Sequence, residues 1–525
     1  MNDRIAAFGD RDAPLTLGIV GAGTMGRGIA QIAAEAGVAV ILADVAPEAG
    51  QAGRDFVEGM LTRKAEKGRM SAAEAEAAIA RVRPLVLSDA DAYRGFASCD
   101  VVIEAVVERM EVKHAVLKAL EAAVGPHCIL ATNTSSLSVT GFAAAAGRPE
   151  RVAGYHFFNP VPLMRVVEVI AGARTAPGTV ACLESLARRM GHRPARATDT
   201  PGFLVNHAGR AFTSEGLRIV GEGICGFADV DRVMVEAAGF NMGPFQLMDL
   251  VGMDVVQAVS ESLYRQYYDE PRFRPSPLGA QRKAAGLLGR KSGEGFYTYR
   301  SGKAKPVDEA PVPAVTSPQR PVWVSGRDAA AAGVLRQILA SAGADIETGT
   351  APSADALCLV APWGMDASMA ALEEGLDPSR TVALDMLFAG KGRRSLMTGV
   401  VTDQACRDQA HALLAADGTP VTVIRDSPGF IAQRIVASIV NLGCDMAQQR
   451  VAAPDDIDAA VTLGLGYPRG PLAFGDAIGP QRILAILATM HDFYGDPRYR
   501  PSPWLVRRAR LGVPLTTPEG AGVVS

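Results

Sequence analysis

Cysteine is sparse and never paired in sequence: the seven residues at 99, 128, 182, 225, 358, 406 and 444 include no CxxC spacing. That argues against a zinc ribbon and against a disulfide scaffold, and it gives the expectation of a reducing, cytoplasmic setting. Long apolar runs are missing too; nothing approaches the ~18 residues that cross a bilayer, so no membrane association is expected. The opening "MNDRIAAFGDRDAPLTLGIV" carries acidic residues and no apolar run before a cleavage site, which speaks against a signal peptide. No sign of charge dominates: Lys and Arg number 53 against 56 Asp and Glu, for a net charge of −3, and no long basic run exists to hold nucleic acid. Histidine is scarce, and no His/Cys/Asp cluster has metal-ligand spacing, so no metal is expected.

What is present describes an ordinary globular chain. Apolar residues make up 48% and charged residues 21%, and 525 residues exceed one hydrophobic core, so about two to four domains are expected. Over the first 200 residues, short β-branched runs alternate with alanine-rich helical spacing. "LTLGIV" (15–20), "VAVILAD" (38–44), "VVIEAV" (101–106), "CILATN" (128–133) and "VAGYHF" (152–157) read as strands. The alternation predicts a Rossmann-type α/β domain over 1–200, a parallel sheet with helices on both faces. Residues 201–300 keep helical periodicity between Gly-Pro breaks and read as an all-α domain. Residues 301–321, with five prolines, read as a linker.

Past the linker the chain repeats itself. A shift of 227 carries Asp199 to Asp426, Gly243-Pro244 to Gly470-Pro471, Asp249 to Asp476 and Gly252 to Gly479, and "DEPRFRPSP" (269–277) returns as "GDPRYRPSP" (495–503). The hinge "DTPGFLVN" (199–206) returns as "DSPGFIAQ" (426–433), with Asn206 replaced by Gln433. This register predicts an internal duplication: a degenerate Rossmann-like domain over 322–425, with strands at "PVWVSG", "ALCLVAP", "TVALDML" and "TPVTVI", then a second helical domain over 426–525.

Two motifs carry chemistry. "GIVGAGTMGRGIA" sets Gly21-x-Gly23-x-x-Gly26 between a strand and a helix. Gly21 makes the turn, Gly23 admits a diphosphate against the backbone, and Gly26 lets helix and strand pack. Asp44 ends the next strand, where a carboxylate takes the adenosine ribose hydroxyls; no arginine follows it, which favours NAD over NADP. The second motif is His156, which ends a strand, with Glu168 on the next apolar run. A carboxylate that orients an imidazole makes a general base. On the strand alone, a histidine satisfied in the core is an equal reading. The second copy discriminates: its "TVALDMLFAGKGRRSLM" (381–397) has neither histidine nor glutamate, and its "VSGRDAAAAGV" has no GxGxxG. Fold-maintaining residues persist there while the chemical candidates are gone.

Taken in order, "GAGTMGRGIAQ", "VVIEAVVERMEVK", "NTSSLSVT", "HFFNPVPLMRVVEV", "DTPGFLVN", "NMGPFQLMDLVGMDV" and "GRKSGEGFY" resemble the L-3-hydroxyacyl-CoA dehydrogenases through nearly all of 15–300. The doubled form resembles the long bacterial members associated with phenylacetate catabolism, which act on 3-hydroxyadipyl-CoA or 3-hydroxybutyryl-CoA. The resemblance implies NAD-dependent oxidation of an L-3-hydroxyacyl-CoA to the 3-oxoacyl-CoA. It implies His156 as the base, Glu168 as its orienting partner, Ser135 as a hydrogen-bonding partner of the substrate oxygen, and Asn206 completing the site. Thr24 and Met25 in the glycine loop, Glu108, Lys113, Asn159 and Lys291 match cofactor-contacting positions. Lys67 matches a position near coenzyme A, while Met60 stands where some relatives have a polar CoA contact. Single-copy relatives are thought to dimerise through the helical domain. The second helical domain is therefore expected to pack on the first as an intramolecular pseudo-dimer, with homo-oligomerisation left open. Two rival readings stay open: a dehydrogenase of a free hydroxy acid or sugar acid on the same scaffold, and a non-catalytic acyl-CoA-binding protein.

Overall fold

The computed structural model describes residues 2–314, 319–388 and 392–520, so 315–318 of the expected linker and 389–391 of the second copy lie outside the described residues. In the first copy the elements are α1 (Asn2–Gly9), β1 (Thr16–Val20), α2 (Thr24–Glu35), β2 (Ala39–Asp44), α3 (Pro47–Glu66), α4 (Ala72–Ala80), β3 (Val82–Val86), β4 (Val101–Glu104), α5 (Met110–Ala123), β5 (Ile129–Thr132), α6 (Val139–Ala143), β6 (Val152–Phe157), β7 (Val166–Ala171), α7 (Pro177–Arg189) and β8 (Arg193–Thr198). The helical region follows with α8 (Val205–Ala208), α9 (Arg210–Gly221), α10 (Phe227–Arg232), α11 (Pro244–Val251), α12 (Met253–Gln266), α13 (Pro277–Ala284) and the hairpin β9 (Tyr299–Arg300) and β10 (Lys303–Ala304). The second copy holds β11 (Val322–Val324), α14 (Ala329–Ser341), β12 (Leu357–Val360), α15 (Ala367–Glu373), β13 (Thr381–Leu384), β14 (Arg394–Thr398), α16 (Gln404–Ala415) and β15 (Val421–Arg425). Its helices are α17 (Ala432–Gln448), α18 (Pro454–Leu465), α19 (Pro471–Ile478), α20 (Pro480–Tyr494) and α21 (Pro503–Leu511).

The chain divides into two compact units, Met1–His207 with Gln449–Leu465, and Ala208–Gln448 with Gly466–Ser525. The first is built on an eight-stranded sheet of order β3-β2-β1-β4-β5-β6-β7-β8. Its central strands are buried on both faces because they are runs of Val, Ile, Leu and Ala (β4 is buried at every position), as a helix-covered sheet requires. One face packs under α1, α2 and α7 through Ile29, Ala33, Val180 and Leu186. The expectation of a parallel sheet needs correction at one edge: β7 runs antiparallel to β6, and β8 parallel to β7. A parallel return needs a crossover of about a dozen residues or more, and the short 158–165 connection cannot supply one. The strands β3, β7 and β8 were not legible in "VRPLV", "VVEVIA" and the polar-looking "RPARAT", and the stretch between β2 and β3 forms two helices, α4 starting at Ser71 in a capping box with Glu74.

The second unit carries the smaller sheet, β11-β12-β13-β14-β15, again with one antiparallel step, between β13 and β14. It also carries the packing of α9 against α17. α17 is buried over nearly its whole surface, and its Arg434 side chain has no exposure. Arg434 donates to Glu215 of α9 from Nε at 2.8 Å and Nη2 at 2.6 Å, to Glu222 at 2.9 Å, and to the Ser427, Tyr494 and Tyr499 hydroxyls.

The repeated residues do the same work twice. Asp199 accepts from the Val139 and Thr140 amides and the Ser138 hydroxyl at the start of α6; Asp426 accepts from the Ala367 and Ser368 amides and the Ser368 hydroxyl at the start of α15. Gly202-Phe203 and Gly429-Phe430 both turn through positive φ, at 76° and 49° and at 81° and 51°. Asp249 takes the Phe296 and Tyr297 amides, and Asp476 takes those of Leu515 and Thr516.

Candidate active site

The glycine loop joins β1 to α2. Gly21 has φ 105°, and a side chain on it would strike the Ala105 carbonyl; one on Gly26 would overlap the Gly21 carbonyl. Gly23 has nothing within 4 Å of where a Cβ would stand, and no side chain caps α2. An uncapped helix start beside open backbone, with Thr24 and Met25 in its first turn, fits a diphosphate. Asp44 closes the loop: Oδ2 accepts from the Ala22 amide at 2.8 Å and Oδ1 from the Ala46 amide at 3.0 Å, and each oxygen keeps a lone pair for a ribose hydroxyl. Val45 follows, 71% exposed, with no cation to balance a 2′-phosphate. These groups fit NAD.

His156 and Glu168 face each other in register across β6 and β7. The antiparallel step puts them there, and His156 Nδ1 donates to Glu168 Oε2 at 2.5 Å. Glu168 has no exposed surface, and its other oxygen accepts from the Leu204 and Val205 amides at 3.0 and 2.8 Å. A buried carboxylate is tolerated only with such partners. With Nδ1–H spent on Glu168, Nε2 keeps its lone pair, the state a proton acceptor needs. The rings of Phe158 and Phe203 lie 4.5 and 6.0 Å from the imidazole.

Ser135 sits on the turn after β5. That turn is held by Glu108, whose Oε1 accepts from the Thr134 and Ser136 hydroxyls and the Ser135 and Ser136 amides. Burial raises the Glu108 pKa, but the hydrogen bonds and the nearby Lys113 outweigh it and hold the carboxyl below its ordinary range. Lys113 is 1% exposed and shares its ammonium between Glu104, at 2.8 and 3.0 Å, and Glu108, at 3.2 Å. It anchors the turn and presents no free ammonium. Asn206 Nδ2 lies 3.4 Å from the Ser135 carbonyl, so the hinge that supplies two amides to Glu168 also brings Asn206 beside Ser135. Asn159 is exposed just after β6. Lys67 is exposed at the end of α3, and Met60 is half-buried on that helix. Nearby, a cavity of about 520 Å³ is lined by Lys64, Arg69, Arg11 and Arg165; among the described residues the last three make no side-chain hydrogen bond or ion pair. Lys291 belongs to the other unit, where it pairs with Asp254 at the Gly252 turn.

Comparison with known proteins decides the family. Residues 16–200 match the family model "3-hydroxyacyl-CoA dehydrogenase, NAD binding domain", and residues 202–299 and 429–524 match its "C-terminal domain". The chain belongs to the 3-hydroxyacyl-CoA dehydrogenase family. It is 37% identical to the 3-hydroxyadipyl-CoA dehydrogenase of Escherichia coli K12, over 94% of this chain and 98% of that one. A probable 3-hydroxybutyryl-CoA dehydrogenase of Deinococcus radiodurans is 40% identical over 54% of this chain and all of its own length. The crystal structure of a 3-hydroxybutyryl-CoA dehydrogenase from Escherichia coli K12 superposes with a TM-score of 0.82 at 34% identity, covering 95% of this chain and 98% of that one. The C-terminal family model matches twice, once in each copy.

Within this 3-hydroxyacyl-CoA dehydrogenase, the second copy keeps the strand register of the first with different residues at the counterparts of His156 and Glu168. β13 follows its 3-10 turn as β6 does, and its register with β14 sets Asp385 where His156 stands and Ser395 where Glu168 stands. Gln433, the counterpart of Asn206, is fully buried; its Nε2 donates to Asp385 Oδ1 at 3.0 Å and its Oε1 accepts from the Gly364 amide at 2.8 Å. The helix start after β11 already holds an anion: Asp328 accepts from the Ala330 and Ala331 amides at 3.0 Å.

Two contributors were missed in the sequence. Glu104 is 1% exposed and anchors Lys113; its signal was an acid inside the apolar run "VVIEAV". Thr134 caps the Ser135 turn and had no signal beyond its place in "NTSSL".

Proposed function

We propose that this chain oxidises the 3-hydroxyl of a short or dicarboxylic L-3-hydroxyacyl-CoA to the 3-oxo thioester, with His156 taking the hydroxyl proton. The observation that carries the reading is the buried His156–Glu168 pair, whose carboxylate is fixed by two backbone amides, so that Nε2 is left as the acceptor. The Gly21–Gly26 loop, Asp44 and Asn159 would hold NAD, which would supply the acceptor for the hydride of the carbinol carbon. Glu168 holds the imidazole in one tautomer and balances the imidazolium once the proton has arrived. Ser135 and Asn206 hydrogen-bond the substrate oxygen, and Glu108 with Lys113 keeps the Ser135 turn in place. The unpaired arginines of the 520 Å³ cavity, together with Lys67, suit the phosphates of coenzyme A, which favours a CoA thioester over a free hydroxy acid. The wider identity with the 3-hydroxyadipyl-CoA dehydrogenase supports the dicarboxylic option.

Steady-state kinetics with NAD across 3-hydroxybutyryl-, 3-hydroxyhexanoyl- and 3-hydroxyadipyl-CoA, with free 3-hydroxybutyrate as the control, test the reading. A preference for the free acid would refute it. The second helical region serves, in this reading, as an internal replacement for a dimer partner, supported by the buried α9–α17 contact. A chain truncated near residue 305 is then expected to aggregate or dimerise, because the cover of an apolar face has been removed. A soluble monomer on size-exclusion chromatography would refute it.

A further inference from the structure

One segment of the second copy leaves its own neighbours. Residues 449–465, which include α18, belong to the compact unit of the first sheet. The apolar face of α18, formed by Ile457, Ala460, Val461 and Gly464, is buried, and the helix packs on β7 and β8. Ahead of it, the Val451 carbonyl accepts from the Thr198 amide at 2.9 Å, occupying the open side of edge strand β8. Asp456 pairs with Arg193 at 2.9 Å.

The far end of α18 reaches Val205, whose amide holds Glu168. A Cβ on Gly464 would stand 2.9 Å from Val205 Cγ2 and 3.5 Å from Val166 Cγ1. Val205 is 2% exposed and β-branched, so it has little freedom to turn away. Its amide is one of the two that hold Glu168, and Glu168 holds His156. The contact chain from the second copy to the base is therefore Gly464, Val205, Glu168, His156, and each link is direct.

The arrangement is reciprocal. Subtracting 227 from 454–465 gives 227–238, which is α10 and the π-helical turn Val233–Ala237 of the first helical region. That turn packs on β14, the degenerate counterpart of β7; Arg393 pairs with Glu236 at 2.9 Å, and a side chain on Gly392 would overlap the Glu236 carbonyl. Each helical copy thus lends the same segment to the sheet of the other copy, the pattern of an isologous interface written into one chain.

We propose that α18 is a positioning element for the reaction proposed above, with Gly464 seating Val205 so that its amide stays on Glu168. The degenerate copy then contributes to turnover through the geometry of His156. Because this rests on the proposed reaction, each variant is compared with wild type, and inactivity of the wild-type chain on every CoA thioester defeats the reaction and not the contact.

The test is Gly464→Ala in the full chain. It is expected to lower kcat about tenfold with no change in NAD affinity, the size of effect that a displaced packing contact transmits. It should also shift the low-field proton resonance of His156 Nδ1–H, which is read without turnover. Adding Val205→Ala removes the clashing methyls and should restore most of kcat and return the resonance. A wild-type kcat and an unmoved resonance in Gly464→Ala overturn the proposal, as does a loss that Val205→Ala does not relieve. Should Gly464→Ala fail to fold, Asp456→Ala loosens the other end of α18 at a partly exposed pair. There, a reduced kcat with unchanged NAD affinity supports the proposal and a wild-type kcat overturns it.

Discussion

Replacing Glu168 by Gln keeps its size and asks which end of the amide faces which partner. One carboxylate oxygen accepts from the Leu204 and Val205 amides, and the other accepts from His156 Nδ1. Turning the NH2 toward the two backbone amides leaves two buried donors unpaired, at roughly 1–3 kcal/mol each. Turning it toward the imidazole costs only the choice of tautomer, since the NH2 can donate to a bare Nδ1. The second orientation wins by about 2 kcal/mol or more. The imidazole proton then moves to Nε2, and the lone pair proposed to accept the substrate proton is gone. A wrong-tautomer histidine costs about 10⁴-fold in kcat in the serine-protease precedent, and a fall of that order is expected here. Turnover is followed by NADH absorbance and NAD affinity by quenching of protein fluorescence. The expected pattern is collapsed kcat with NAD affinity unchanged, since the glycine loop and Asp44 are untouched. A kcat within about threefold of wild type would show that Glu168 does not set the tautomer.

Two further outcomes follow from buried charge. Arg434→Met removes two donors from the Glu215 carboxylate, 2% exposed, leaving it the Tyr499 hydroxyl and Arg498 at 3.8 Å, and should lower stability by about 3 kcal/mol in urea unfolding. The Glu215→Leu/Arg434→Met pair should recover most of the loss, because a packed apolar pair replaces a buried ion pair at little cost; a single-variant loss under about 1 kcal/mol would refute the network's role. Asp385, half-buried where copy one has His156, has its carboxyl pushed up by burial to about 6. An acid raised on folding contributes stability that is full below its ordinary value near 4 and is lost as pH rises through about 6. Asp385→Asn keeps Oδ1, which accepts from the Leu387 amide and Gln433, and removes only the charge. The variant should match wild type at pH 4 and be more stable by about 1–2 kcal/mol at pH 8, the partial exposure reducing the full figure. A pH-independent difference in denaturant midpoints would refute this.

The legible parts of the fold were those whose signal is local. Gly21, Gly23, Gly26 and Asp44 announce a strand, turn, helix and strand because each is dictated by backbone geometry over a few residues. The hinges at 199–206 and 426–433 were legible for the same reason, since Asp, Gly and Phe each meet a requirement of one turn and one cap. β8 was not legible: "RPARAT" looks polar because this edge strand exposes Arg193, Arg196 and Thr198, and its partners come from β7 and from Val451, far along the chain. Glu104 was passed over because a lone acid in a strand has no meaning until Lys113, a helix away, is folded onto it.

The sequence by itself determined that this chain has two copies of one plan, that only the first carries the GxGxxG loop, and that His156 and Glu168 are its unusual polar residues. These follow from residue type and spacing, which survive without coordinates. Only the tertiary structure decided that β7 turns back on β6 to set Glu168 against His156, that Gln433 is buried against Asp385, and that α18 leaves its own copy for the first sheet. Those are contacts between segments distant in the chain, chosen by which apolar faces and unpaired backbone groups remain to be covered once the local elements have formed.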